Sequence, residues 1–290
     1  MVAPTQAELD FYATPGRMTD LSSIADHVAD LPSDVPSLCK IVQLLVVHRF
    51  WDTRYGVTDA EERDDEMQIR PADEILAKVL EIDPRPLDHG RMPQQRVLGN
   101  CRDFTTVTVA LLRDKGVPAR GRCGFGAYFT PGLFEDHWVV EWWDGERWVF
   151  TDAQLDAFQV AALNVSFDPL DVPRDAFIDA GRAWAMYRSG EHAGEKFGLS
   201  GIGMAGPWFI RGNIWRDIAS LNKVELLPWD GWGLDDLTEP MSDDETDTYA
   251  GVAARADFDE HRTFYETNDL VRVPDVINSY LPSGPVRVQL

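Results

Sequence analysis

"RVLGNCRDFTTVTVALLRDKGVPAR" (residues 96–120) is the stretch from which the chain is read. Apolar residues recur at Phe104, Val107, Ala110, Leu111 and Leu112. Gly116 then stands as a C-terminal stop with Pro118 beyond it. That pattern predicts a helix with Cys101 in its first turn, delivered there by the Gly99-Asn100 turn. A thiol at that junction is either a small packing residue or a nucleophile. What the rest of the chain aims at it decides between the two.

Downstream the periodicity changes. "ARGRCGFGAYF", "HWVVEWW" and "RWVFTD" read as strands, so one helix precedes a predominantly antiparallel sheet. In "HWVVEWWDGERWVFTD" (137–152) Asp144-Gly145 signals a two-residue hairpin loop. With that loop Trp143 opposes Glu146, and His137 directly opposes Asp152 on the same face, with Cβ atoms about 4.5–5.5 Å apart. A carboxylate at that distance can hold an imidazole by one ring N–H. The plainer reading is a surface His–Asp pair that only stabilises the hairpin.

Cys101, His137 and Asp152 together make a chemical set. A free thiol has a pKa near about 8.5 and is a weak nucleophile until deprotonated. A helix N-terminus favours the thiolate. An imidazole takes the proton, a carboxylate fixes the imidazole's tautomer, and the Cys101 backbone N–H points toward the developing oxyanion.

"GNCRDFTTVTVALLRDKGVPAR" followed by "DHWVVEWWDGERWVFTDAQLD" resembles the core of the transglutaminase-like superfamily. The resemblance covers about residues 95–160. It rests on the Cys at a helix start, Arg113 with Gly116-Val117-Pro118-Ala119-Arg120, His137-Trp138, and Trp148 four residues before Asp152. It implies a papain-like α+β fold in which a nucleophile helix packs on an antiparallel sheet. It also implies a Cys101–His137–Asp152 triad that forms a thioester from an amide or ester, then transfers it to water or an amine. The family's cross-linking members place an aromatic oxyanion donor upstream of the Cys. No Trp lies near there in this chain, and Gln94 or Gln95 could supply an amide N–H, with Gln95 preferred. The resemblance does not imply calcium dependence. Asp243, Asp244, Glu245 and Asp247 lack an EF-hand's spacing and read as a solvated loop.

Composition narrows the field. The net charge of −22 argues against nucleic acid and anionic lipid. It would steer in a cationic or amine-bearing substrate, and it also serves solubility. Three cysteines, an odd number at wide spacings, make no disulfide framework and no zinc site. No apolar run approaches the ~18 residues of a membrane span, and the first twenty residues have no signal-peptide pattern, so a cytoplasmic protein is expected. No cofactor is called for.

Around the core, "SLCKIVQLLVVHRFW" (37–51) reads as one helix, and "PADEILAKVLEI" (71–82) as another that opens on Pro. "TDAEERDDEMQ" between them reads as a solvated acidic connection. Residues 173–190 and 213–223 look helical, 198–212 a Gly-rich loop, and 235–247 acidic and exposed. The expected organisation is one domain over 1–290: a helical part (1–94), a transglutaminase-like catalytic core (95–165) and a C-terminal extension (166–290). Cys39, Cys123, His48 and His89 are expected to be packing residues without chemistry.

Trp138, Trp208 and Arg211 are candidate substrate contacts. A stripe of Ile214, Ile218 and Leu221 docking a helix on the core is the alternative for the C-terminal Trp-rich segment. The expected function is cysteine-dependent hydrolysis of an amide or peptide bond, or acyl transfer to an amine acceptor, on an amide-, peptide- or protein-containing substrate. A binding module that keeps the fold without turnover is the alternative. Metal binding by the Cys–His pair has no supporting signature. Oligomeric state is not legible.

Overall fold

The structure is a computed structural model describing residues 3–234, 237–254 and 257–290. Asp235 and Asp236 of the acidic 235–247 stretch lie outside the described residues. The chain divides into two compact units whose segments alternate: Thr5–Gly121 with Trp138–Pro173, and Met1–Pro4 with Arg122–His137 and Arg174–Leu290. The fold class is α+β.

The first unit holds α1 (Gln6–Tyr12), α2 (Ala25–Val28), α3 (Val35–Gln43), β1 (Val46–His48), α4 (Asp52–Tyr55), α5 (Ala72–Ile82), β2 (Val97–Gly99) and α6 (Cys101–Asp114). The beginning of β3 (Ala119–Gly126), the end of β4 (Phe134–Trp143), β5 (Trp148–Thr151) and α7 (Ala157–Leu163) complete it. α6 starts at Cys101 and runs to Asp114 as predicted. Gly116, at φ +72°, stops it, with the Val117 N–H donating back to Leu112 O at 2.9 Å. Phe104, Val107, Ala110 and Leu111 join Leu38, Val42, Leu76, Val79, Val140 and Ala153 in one buried cluster, which is how the nucleophile helix packs on its strands. Arg113 ties the end of α6 to the start of β3 and to the N-terminal part, donating to Ala119 O at 2.9 Å and to Thr19 Oγ1 at 2.8 Å.

Several expectations are corrected by the structure. The helix expected over 37–51 ends at Gln43, and Val46–His48 becomes a strand parallel to β2, with Val46 opposite Val97 and His48 opposite Gly99. Val46 packs in the main core, while Val47 packs with Val57, Ala60 and Leu98 in a separate small one. A strand buried on both faces reads as a continuous apolar run, which periodicity cannot separate from a helix.

The acidic connection is not wholly solvated. Glu66 is buried, pairs with Arg63 at 2.9 Å and accepts the Leu98 N–H at 2.8 Å.

The hairpin register also differs. Trp143 pairs with Trp148 and Val140 with Thr151, so the loop is Asp144–Arg147 and not the Asp144-Gly145 pair. Asp144 causes this, because its carboxylate accepts the N–H groups of both Glu146 (2.7 Å) and Arg147 (2.8 Å), wrapping a longer turn. The Trp143 and Trp148 rings then close the loop edge-on at 5.7 Å. Continuing this register puts Val139, not His137, opposite Asp152.

The second unit holds the remaining parts of β3 and β4, then β6 (Phe177–Asp179), α8 (Ala180–Arg188), β7 (Phe197–Leu199), β8 (Met204–Ala205) and α9 (Pro207–Leu221). β9 (Asp230–Gly231), α10 (Asp243–Ala254), α11 (Phe258–Thr267), β10 (Val276–Leu281) and β11 (Gly284–Gln289) complete the chain. One sheet has the strand order β6-β3-β4-β7-β8, with β3–β6 and β7–β8 antiparallel and β4–β7 parallel. Gly124 on β3 has no room for a side chain, because a Cβ would lie 2.2 Å from Ile178 O on β6.

α9 starts at Pro207, inside the stretch expected to be a Gly-rich loop. The Gly206-Pro207 pair opens it, Pro being favoured in a first helical turn. Ile214, Ile218 and Leu221 are buried along it, as the docking-stripe alternative requires. Residues 243–254 are helical, not an exposed loop. Asp243 and Asp247 reach Arg188 and Arg211, so basic partners on neighbouring helices take up their charge. Among the described residues no helix is long and apolar enough to cross a membrane.

Candidate active site

The start of α6 is built to hold one geometry. Asn100 sits in the extended region (φ −130°, ψ 179°) and caps the helix, its Oδ1 accepting the Arg102 N–H at 2.9 Å. Asp103 answers by accepting the Asn100 N–H at 2.9 Å, a reciprocal capping box. Arg102, with no exposed surface, pairs with Asp103 Oδ1 at 3.1 Å. Burial raises the Asp103 carboxyl pKa, against the Arg102 charge, which lowers it. Cys101, 6% exposed, stands directly in front of this cap.

Gly99 is fixed by space. A Cβ there would meet Asp103 Oδ2 at 2.8 Å and Val46 Cγ1 at 2.9 Å. Gly99→Ala should therefore push β2 off the cap and lower stability by about 1–3 kcal/mol, read by urea unfolding. A loss under about 0.5 kcal/mol would show that the junction relaxes freely.

Asp152 comes directly after β5 in the same unit and is 1% exposed. Its N–H donates to Pro169 O at 2.7 Å and its Oδ1 accepts the Gln154 N–H at 3.0 Å, so both backbone and carboxylate are anchored. Its charge is felt at Cys39, whose thiol pKa is pushed up to about 12, first by burial and then by Asp152. Cys39 and Cys123 are buried and form no disulfide, in keeping with packing roles.

His137 lies in the second unit, 2% exposed. Three aromatic rings surround it: Phe129 at 4.7 Å, Tyr128 at 5.8 Å and Phe177 at 6.5 Å between centroids. Gly126 allows this, since a Cβ there would lie 2.6 Å from Phe129 Cε2. Beside it Asp136 accepts Asn213 Nδ2 at 2.7 Å, and burial raises the Asp136 carboxyl pKa. Sequence reasoning missed Tyr128, Phe129 and Asp136. The Gly126–Gly132 segment with its adjacent aromatic pair was the available signal.

The remaining candidates lie elsewhere in the two units. Gln95 Oε1 accepts the Met92 N–H at 3.2 Å and Arg85 Nη2 at 3.3 Å, capping its own turn, while Gln94 Nε2 donates to Gly56 O at 2.9 Å. Trp138 is buried to 1% exposure, and its Nε1 has no partner among the described residues. Trp208 is 52% exposed, its indole N–H donating to Ala205 O at 3.1 Å. Arg211 is engaged by Thr246 at 2.9 Å and Asp243 at 3.2 Å. His48 is buried on β1, where its Nδ1 accepts the Phe50 N–H at 3.1 Å, and His89 is exposed beside Asp88. No group of three or more metal-ligating side chains occurs among the described residues.

Residues 62–153 match the model of the Transglutaminase-like superfamily. That span holds Cys101, His137 and Asp152 and overlaps most of the stretch that carried the resemblance. A solved structure described as a "Putative Cysteine Protease" from Cytophaga hutchinsonii is 18% identical over 60% of this chain, with a TM-score of 0.34. The match spans 46% of that structure's own chain. No curated protein matches.

Proposed function

We propose that the protein is a cysteine-dependent amide or peptide hydrolase, or an acyl transferase, that works through a thioester on Cys101. The capped helix start that presents Cys101 carries this reading, and the family match over residues 62–153 supports it. His137 takes the thiol proton and Asp152 holds the imidazolium. The thiolate attacks the substrate carbonyl carbon, and the Cys101 N–H steadies the oxyanion, with Gln95 Nε2 as the side-chain candidate. Collapse of the adduct expels the amine, which leaves with the proton from His137. Water, or an acceptor amine, then attacks the thioester and returns the thiol. Trp138, Trp208 and Arg211 are proposed substrate contacts. A peptide or protein is the proposed substrate, and a reducing compartment such as the cytoplasm suits three cysteines that form no disulfide.

The test is the rate of iodoacetamide alkylation at Cys101 against pH, read by peptide mass spectrometry in wild type and His137→Ala. A thiolate held by a helix start and an imidazolium is reactive well below pH ~8, and removing the imidazole should lift that threshold. Cys39, its thiol pKa raised to about 12, stays protonated through this range and serves as the silent internal control. An ordinary titration near ~8.5 in both proteins would replace catalysis with the binding-module reading.

A further inference from the structure

In the first unit, a narrow cleft is lined by His48, Tyr55, Phe104, Gln154, Asp156 and Gln159. These elements also carry the proposed chemistry. Phe104 lies three residues beyond Cys101 on α6, His48 pairs with Gly99, and Gln154 donates its N–H to Asp152. A hydrogen-bonded relay runs along the cleft wall with a fixed polarity. The Asp156 carboxylate accepts the Tyr55 hydroxyl at 2.7 Å and the Gln159 N–H at 2.9 Å. Tyr55 then accepts Gln159 Nε2 at 3.3 Å, and Gln159 Oε1 accepts Gln154 Nε2 at 3.0 Å. Burial, and then the bond to Asp156, raises the Tyr55 pKa, so the hydroxyl remains a donor.

The relay leaves one atom over. Gln154 is 3% exposed and its Oε1 has no hydrogen-bond partner. Flipping its amide would set Nε2 loose and turn two carbonyl oxygens toward each other at Gln159. Correcting that by flipping Gln159 would break its bond to Tyr55. The orientation is therefore dictated from Asp156, and the relay ends in an acceptor that lacks a donor. An unmet buried carbonyl costs about 1–3 kcal/mol, and the cleft floor has no room for water as the side chains stand. The wall carries Arg96 as well as Asp156, so an ammonium group gains little there. Two exposed rings flank the cleft, Phe50 against His48 at 5.5 Å and Phe158 against Tyr55 at 5.2 Å.

We infer that this cleft is a substrate subsite for a neutral amide carried on an apolar group, with Gln154 Oε1 accepting its N–H and Phe50 and Phe158 covering the apolar part. The inference rests on the proposed amide chemistry of Cys101 and adds a specificity-determining residue to it. Entrance of the amide requires movement at the rim, where Phe158 is 46% exposed and packs edge-on against Trp51 and Tyr55.

The probes are phenylacetamide and methyl phenylacetate, which share ring and carbonyl but differ in the N–H. Protection of Cys101 against N-ethylmaleimide should need about tenfold less of the amide than of the ester, the worth of one buried hydrogen bond. In Gln154→Met, which keeps the side-chain length and removes the acceptor, the two should become equal. Gln159→Met, which frees the Gln154 amide to rotate, should show the same weakened preference if the first variant folds poorly. The rise in unfolding temperature with each probe reads the same preference without the thiol. Equal protection and equal shifts by both probes in wild type, or an amide preference that survives Gln154→Met, would overturn the inference. An ordinary thiol titration at Cys101 would instead overturn the proposed catalysis, while the thermal shifts still decide the fate of the cleft.

Discussion

Replacing Asp217 by alanine is expected to lower the unfolding free energy by about 3–5 kcal/mol. Asp217 has no exposed surface, and its carboxylate accepts Arg122 Nε at 3.0 Å, Arg122 Nη2 at 2.8 Å and the Cys123 N–H at 2.9 Å. α9 is thus pinned to β3 by a bidentate charge pair and a backbone bond. Removing the carboxylate takes the bidentate partner from a buried guanidinium that has Asp179 only at 3.9 Å, and takes an acceptor from a β3 amide. Breaking one partner of a buried pair costs far more than the pair's net worth, because the other charge stays desolvated.

Asp217→Asn keeps one acceptor and should lose less than the alanine variant. Arg122→Met with Asp217→Leu removes both charges together and should recover most of the loss. Guanidinium unfolding of the four proteins measures this ordering. A loss below about 1 kcal/mol for Asp217→Ala would mean that water reaches Arg122 and that the pair is not structural.

The same residue shows what the sequence conceals. In "NIWRDIASLNK", Asp217 and Arg216 look like a polar face for reading a ligand. The apolar stripe of Ile214, Ile218 and Leu221 was legible because helical spacing is a local property. The partner of Asp217 lies 95 residues away on another element, a distance no local pattern encodes. The start of α6 was legible for the opposite reason: its turn, apolar periodicity and stop all lie within twenty residues. The helix expected over 37–51 failed midway, because β1 exists only by pairing with β2, half a hundred residues on.

The hairpin shows a finer limit. Asp144-Gly145 correctly marked the bend between β4 and β5. The same Asp144 that supplied the signal lengthened the loop through its own side chain, taking Glu146 and Arg147 out of the ladder and shifting the pairing by two residues along β5. The direct opposition of His137 and Asp152 was lost with it. The assignment of those two residues now rests on the motif, not on the ladder, and the kinetics of their variants are its test. Around His137, the aromatic ring of Tyr128, Phe129 and Phe177 results from a glycine-permitted close approach. A single sequence shows the glycine but not what leans on it.

Acylation by p-nitrophenyl acetate gives the sharpest test of the proposed roles, because it needs no knowledge of the natural substrate. Wild type is expected to release nitrophenolate in a burst equal to the enzyme concentration, with the acetyl group found on the Cys101 peptide. Cys101→Ala should lose the burst and slow steady release by at least about 10³-fold, since residual rates in such sites come only from binding and oxyanion donors. Its unfolding midpoint should stay near wild type, because one buried sulfur is removed and the Asn100–Asp103 cap is left in place.

His137→Ala should slow the burst by about 10²–10⁴-fold and move its onset to higher pH, as the thiol returns toward ordinary acidity. Asp152→Asn should cost less than either, because it perturbs the imidazole's tautomer without removing the nucleophile or the base. The double variant Cys101→Ala with His137→Ala should be no slower than Cys101→Ala alone, since a base with no thiol to deprotonate contributes nothing to acylation. A burst that persists in Cys101→Ala would place the nucleophile elsewhere. Losses that multiply in the double variant would show His137 acting apart from Cys101, and the two would then not form one catalytic unit.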